Sequence, residues 1–207
     1  MSPPRGAVHL ASPPPPTHLA TFPAYVCPAG TEVFRSHRHG REPRWFPSSG
    51  EGRFDLAAAD GTCYAAENAG IALLETWGGI RIVPDYLVAE RDVSKLLVTN
   101  TVRIADLTSN GAIGFGVTSE IFTTIDYPAT QRWATALHQA GFDGVRYWAR
   151  HDLAHTAACL AVFGPTGAAT DGCPLDTAQT DYLPDRPDLL STFESETGIA
   201  ILPVPPI

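Results

Sequence analysis

Apolar positions in this chain fall into short runs of strand type and a few stretches of helical type, separated by glycine, proline and charge. Residues 31–34 read as a strand leading into Arg35. The following SHRHGREPRWFPSSGEG mixes charge, glycine and proline without period, which predicts a long loop, and long loops inside compact domains are often functional. Residues 61–66 predict a second strand. Asn68 then offers an N-cap for a helix whose Ala69, Ala72, Leu73 and Trp77 share one face, with Gly78 and Gly79 as the stop and Glu75 mid-helix, off the apolar stripe. Residues 80–83, 86–88 and 96–104 carry the β-branched content of two or three more strands. SNGAIGFG at 109–116 reads as a loop, 128–140 as a helix with Trp133, Ala134 and Leu137 on one face and Gly141 closing it, and 145–148 and 160–163 as a strand pair. Strands thus recur in both halves with short helices between them, and the pattern predicts an α+β fold.

The ends differ from this middle. Residues 1–24 contain the proline run 13–16, which lacks backbone donors and favours an extended, solvated conformation, so a flexible arm is expected there. Beyond Gly164 the chain is rich in Pro, Asp and Thr, with a short helix expected at 187–196 and an apolar ILPVPPI tail. The expected division is an arm over 1–24, one domain over 25–164, and an extension over 165–207 that wraps the domain or is partly flexible.

Charge and cysteine usage narrow the function classes. The 207 residues carry a formal net charge of −8, and Lys95 is the only lysine among the 14 cations. That balance argues against broad nucleic-acid binding, which needs a basic face, while leaving room for a local anion pocket. Cysteines 27, 63, 159 and 173 lie far apart without C-x-x-C spacing, no signal-peptide pattern opens the chain, and no apolar run has membrane-spanning length. Reduced thiols in a cytoplasmic protein are expected.

The common enzyme signatures are missing. Glycines 111, 114 and 116 run G-x-x-G-x-G rather than in the dinucleotide-fold order, and there is no Walker lysine motif, G-x-S-x-G elbow or H-E-x-x-H helix. His37-x-His39 and His151-x-x-x-His155 lack a carboxylate or thiolate at a partnering spacing, so no metal is expected. One regularity stands out: Arg53, Tyr64 and Glu75 follow one another at intervals of eleven residues. An arginine fork grips phosphate, an aromatic face holds a flat ring, and a carboxylate stabilises a cationic carbon, a set that suits a dinucleotide.

VFRSHR, GRF-D, CYAAENAGIALLE, YPATQRWATAL, GFDGVRYWARHD and CLAVF, in that order and spacing over about residues 31–164, resemble the RES domain family. The resemblance implies an ADP-ribosyltransferase-like fold, a split and mainly antiparallel β core with short flanking helices, holding NAD⁺ as substrate in a cleft. It also implies an NAD⁺-consuming toxin paired with a helix-turn-helix antitoxin. Arg35 and Arg53 match the family's arginines, Tyr64 its tyrosine and Glu75 its glutamate. On that reading Glu75 and Arg53 are catalytic, and Arg35, Arg53 and Tyr64 bind the dinucleotide. One letter departs: the family's Y-x-S reads Tyr147-Trp148-Ala149 here, so a hydroxyl is replaced by a methyl group. The alternatives are an NAD⁺-binding protein that lost its chemistry through Ala149, and a transferase of ADP-ribose to protein.

Overall fold

The computed structural model describes residues 9–203. Along the chain come α1 (Pro16–Leu19), β1 (Ala24–Cys27), β2 (Glu32–Arg38), β3 (Trp45–Phe46), β4 (Asp60–Ala66), α2 (Ala69–Trp77), β5 (Ile82–Pro84), α3 (Asp85–Ala89), β6 (Arg91–Val98) and β7 (Val102–Asp106). Then follow a 3₁₀ turn (Asn110–Phe115), α4 (Glu120–Thr123), α5 (Tyr127–Gln139), β8 (Gly144–Trp148), β9 (Ala158–Pro165), β10 (Gly167–Ala168), β11 (Leu175–Tyr182), a second 3₁₀ turn (Leu183–Asp185), α6 (Pro187–Thr197) and β12 (Ala200–Leu202).

Eight strands form one sheet in the order β1-β7-β8-β9-β4-β2-β6-β11, antiparallel throughout except between β7 and β8. The fold is the α+β architecture the pattern predicts. Its central feature is a parting. β4 pairs with β9 along its whole length, and β2 pairs with β6 along its own, yet β2 and β4 meet only at Phe34↔Ala66. Beyond that pair the strands diverge and leave a wedge in the middle of the sheet.

Both faces of the sheet are covered, which is why the CLAVF strand reads as a continuous apolar run rather than an alternating one. Cys159, Ala161 and Phe163 face the larger cluster with Leu73 and Trp77 of α2, Trp133 and Leu137 of α5 and Phe193 of α6. Leu160 and Val162 face the smaller one with Val33, Phe46, Leu96 and Ile104. Gly141, with φ +86°, takes the left-handed conformation that ends α5 at low cost.

Several expectations change. The apolar triplet 86–88 is helical in α3: three residues are too few to set a period, and Pro84 fixes the helix entry while Asp85 supplies an acidic first turn. The glycine segment 109–116 winds into a 3₁₀ turn because the Ser109 side chain accepts from the Gly111 N–H at 3.2 Å. The described part of the arm is anchored to the domain at a few points while most of it stays exposed: Leu19 and Phe22 are buried, Phe22 meets Phe115 at 4.9 Å, and Trp133 Nε1 donates to the Ala11 carbonyl at 2.8 Å. Proline's missing donors do not prevent its neighbours from inserting side chains. After Gly164, β11 extends the main sheet beside β6 and β12 pairs in parallel with β5. Residues 1–8 of the arm and 204–207 of the tail lie outside the described residues.

Candidate active site

The wedge between β2 and β4 opens into a cleft of about 350 Å³, and Arg35, Arg53, Tyr64 and Glu75 all line it. Four residues spread over two strands, a loop and a helix therefore meet in one place. Tyr127, Tyr147, Arg150 and His151 complete its wall.

Glu75 is positioned by α2. The Asn68 side chain accepts from the Ile71 N–H at 2.8 Å and starts the helix, while Leu73, Leu74 and Trp77 bury its opposite face. The carboxylate is reachable by solvent yet lies in a concave surround. Tyr147 Oη donates to Oε2 at 3.3 Å and the Arg150 backbone N–H donates to Oε1 at 3.2 Å. Enclosure by protein raises its pKa above the ordinary 4.5, against the lowering effect of the Arg150 N–H, the Arg53 charge and the Tyr147 hydroxyl.

Arg53 is placed by a loop without regular structure. Its carbonyl accepts from Thr130 Oγ1, and Nη1 donates to the Thr124 carbonyl at 2.8 Å, with the guanidinium carbon 5.2 Å from the centre of the Tyr127 ring. The loop itself is knotted around Asp55, only 3 % exposed. Asp55 Oδ2 accepts from Ser49 Oγ at 3.1 Å and from the Gly50 and Gly52 N–H groups at 3.0 Å each, and Oδ1 accepts from Tyr64 Oη at 2.8 Å. A Cβ at Gly52 would collide with the Asp55 carboxylate and the Tyr64 hydroxyl, so the turn requires glycine.

Tyr64 thus presents its ring to the cleft while its hydroxyl ties down the loop, also accepting from the Phe54 N–H at 2.9 Å. Burial, then the Asp55 charge, pushes its pKa well above 10.0, which keeps the phenol a neutral donor. Arg35 stands mid-strand in β2 rather than at a strand end, with Nη1 donating to the Trp45 carbonyl at 2.8 Å and to Cys63 Sγ at 2.6 Å. Among the described residues, none of Arg35, Arg53 and Arg150 has a carboxylate within ion-pair distance. The cleft is accordingly cationic in a protein of net charge −8.

Ala149 is buried and lines a neighbouring cavity with Trp148 and Ser119, not this cleft. The hydrogen bonds to Glu75 come from Tyr147, two residues before Ala149, and from the backbone of Arg150, directly after it. Asp55 and Tyr147 carry structural weight that the motif letters alone did not assign, because their partners are non-local and follow no period. His37 and His39 are engaged with Ser94 at 2.8 Å and Asp92 at 2.7 Å, and among the described residues no three His, Cys, Asp or Glu side chains gather to hold a metal. Among them, too, all four cysteines are free and no helix is long and apolar enough to cross a membrane.

The RES domain profile matches residues 32–185, past Gly164 and through β11. No curated protein matches the chain. Among solved structures, a chain in the crystal structure of the M. tuberculosis MbcT–MbcA toxin–antitoxin complex is similar in fold, with a TM-score of 0.58 at 15 % identity over 75 % of this chain and 85 % of that one. With the profile spanning most of its length and the sheet parting where the matched arginines, tyrosine and glutamate meet, the chain belongs to the RES domain family.

Proposed function

We propose that this protein cleaves the nicotinamide–ribose bond of NAD⁺, and the observation that carries the reading is the convergence of Arg35, Arg53, Tyr64 and Glu75 on one cleft. Arg35 and Arg53 hold the diphosphate by charge-assisted hydrogen bonds, and the Tyr64 ring stacks on the nicotinamide. As the C1′–N bond breaks, its electron pair leaves with nicotinamide and positive charge builds at C1′, as in glycoside hydrolysis. The Glu75 carboxylate stabilises that charge, oriented by Tyr147 and the Arg150 N–H. Water, phosphate or a protein side chain then takes C1′. Glu75 keeps both its donors with alanine at 149, which favours the catalytic reading over binding without turnover.

The family membership and the likeness to a chain of a toxin–antitoxin complex support a toxin acting on cytoplasmic NAD⁺, with a helix-turn-helix antitoxin as partner. The test is incubation of the purified protein with NAD⁺, nicotinamide being followed by chromatography beside Glu75→Gln. The substitution should lower the rate by about two orders of magnitude or more while the protein stays folded. Wild-type activity should climb with pH through a value above 4.5, since only the ionised carboxylate stabilises the cation. Undiminished turnover by the glutamine variant would rule the reading out.

A further inference from the structure

A second cavity, about 580 Å³, opens beside the cleft and shares Arg35 and Ser36 with it. Arg38, Arg41 and Arg91 complete four guanidinium groups on its wall, out of 14 cations in the whole chain. Among the described residues none of the four has a carboxylate within ion-pair distance. Glu42, the acidic residue on this wall, is drawn to Arg44 at 3.3 Å, and Asp92 accepts from the Gly40 N–H at 2.9 Å and pairs with His39 at 2.7 Å.

The arrangement is costly as it stands. Arg38 and Arg91 are register partners across β2 and β6, and like charges directly opposite one another destabilise a sheet. Burial first, and then the Arg38 charge, lowers the pKa of Arg91 from its usual value, with Glu90 only partly offsetting them. Between the two cavities the Ser36 hydroxyl oxygen is buried with no hydrogen-bond partner. Guanidinium forks without a carboxylate partner and an unspent hydroxyl around one concavity match the oxygens of a phosphate group, which would neutralise the repulsion.

We propose that this cavity is a phosphate-monoester subsite extending the cleft, so that the substrate is a dinucleotide bearing a phosphate beyond its diphosphate, as NADP⁺ does. The dinucleotide part rests on the NAD⁺ reading of the cleft; the anion grip does not. Inorganic phosphate offers the same oxygens, and separate titrations distinguish the two sources.

The experiment is calorimetric titration of Glu75→Gln protein with NAD⁺, NADP⁺ and inorganic phosphate alone, repeated with Arg38→Gln or Arg91→Gln added. NADP⁺ should bind about tenfold more tightly than NAD⁺, and either arginine substitution should remove that preference while leaving NAD⁺ affinity in place. The same substitutions should raise the unfolding temperature of the ligand-free protein by relieving the cross-strand repulsion, which a merely structural role would not do. Arg41→Gln, in the loop after β2, serves if a strand variant misfolds. Phosphate bound without an NADP⁺ preference upholds the grip and assigns it to the free ion. Phosphate bound without either dinucleotide sinks the cleft reading alone. Equal affinity for both dinucleotides with no phosphate binding overturns the subsite.

Discussion

The two walls of the cleft are built by different means. Glu75 and Tyr147 sit on α2 and β8, whose ladders and buried apolar faces hold them. Arg53 sits in the loop before β4, whose conformation is fixed by the Asp55 carboxylate and its four donors, and by Gln131 Nε2 donating to the Gly50 and Gly52 carbonyls at 2.8 Å each. On the first wall stability is spread over many contacts. On the second it is concentrated in two side chains, Asp55 and Gln131.

Removing one side chain from each wall breaks that contrast open. Asp55→Ala removes the buried acceptor shared by Ser49, Gly50, Gly52 and Tyr64 and should cost about 3 kcal/mol by denaturant unfolding, with nicotinamide release abolished because Arg53 is let go. Near-native stability in that variant would show that Gln131 holds the loop without Asp55. Asn68→Ala, which removes only the cap of α2, should cost about 1 kcal/mol and leave substantial turnover, since the core still seats the helix.

The smallest effect sharpens the comparison through pH. The pKa of Glu75 is raised in the folded protein, so the folded state binds more protons than the unfolded one between the ordinary carboxylate value and the raised one. Its contribution to stability is present below the unfolded value and is lost as pH rises through the folded value. Unfolding curves across that range should show Glu75→Gln gaining on the wild type as pH increases. A gap that stays constant with pH would mean that enclosure does not bear on this carboxylate.

The first wall was legible and the second was not, for physical reasons. Helical spacing, Asn68 as cap and the terminal glycines placed α2 almost to the residue, and with it Glu75, because each signal is local. Strand β4 and the β8–β9 pair followed from apolar runs in the same way. The Asp55 knot draws on residues 49 to 64 and on α5 without a period, so no pattern along the chain reveals it. The meaning of Ala149 was equally hidden: only the fold shows that the Glu75 donors are Tyr147 and Arg150. Arg38 and Arg91, fifty-three positions apart, become a repelling pair only once β2 and β6 are in register.

The parting at Phe34↔Ala66 has a consequence for the order of events during synthesis. On one side of it stand β2, β6 and β11, and on the other β1, β7, β8, β9 and β4, so the two halves of the sheet are interleaved along the chain. β4 cannot complete its ladder until β9, ending at Pro165, has been translated. Pairings of such long separation form slowly. A nascent chain that stops short of Pro165 therefore lacks the ladder on which the β4 wall of the cleft rests.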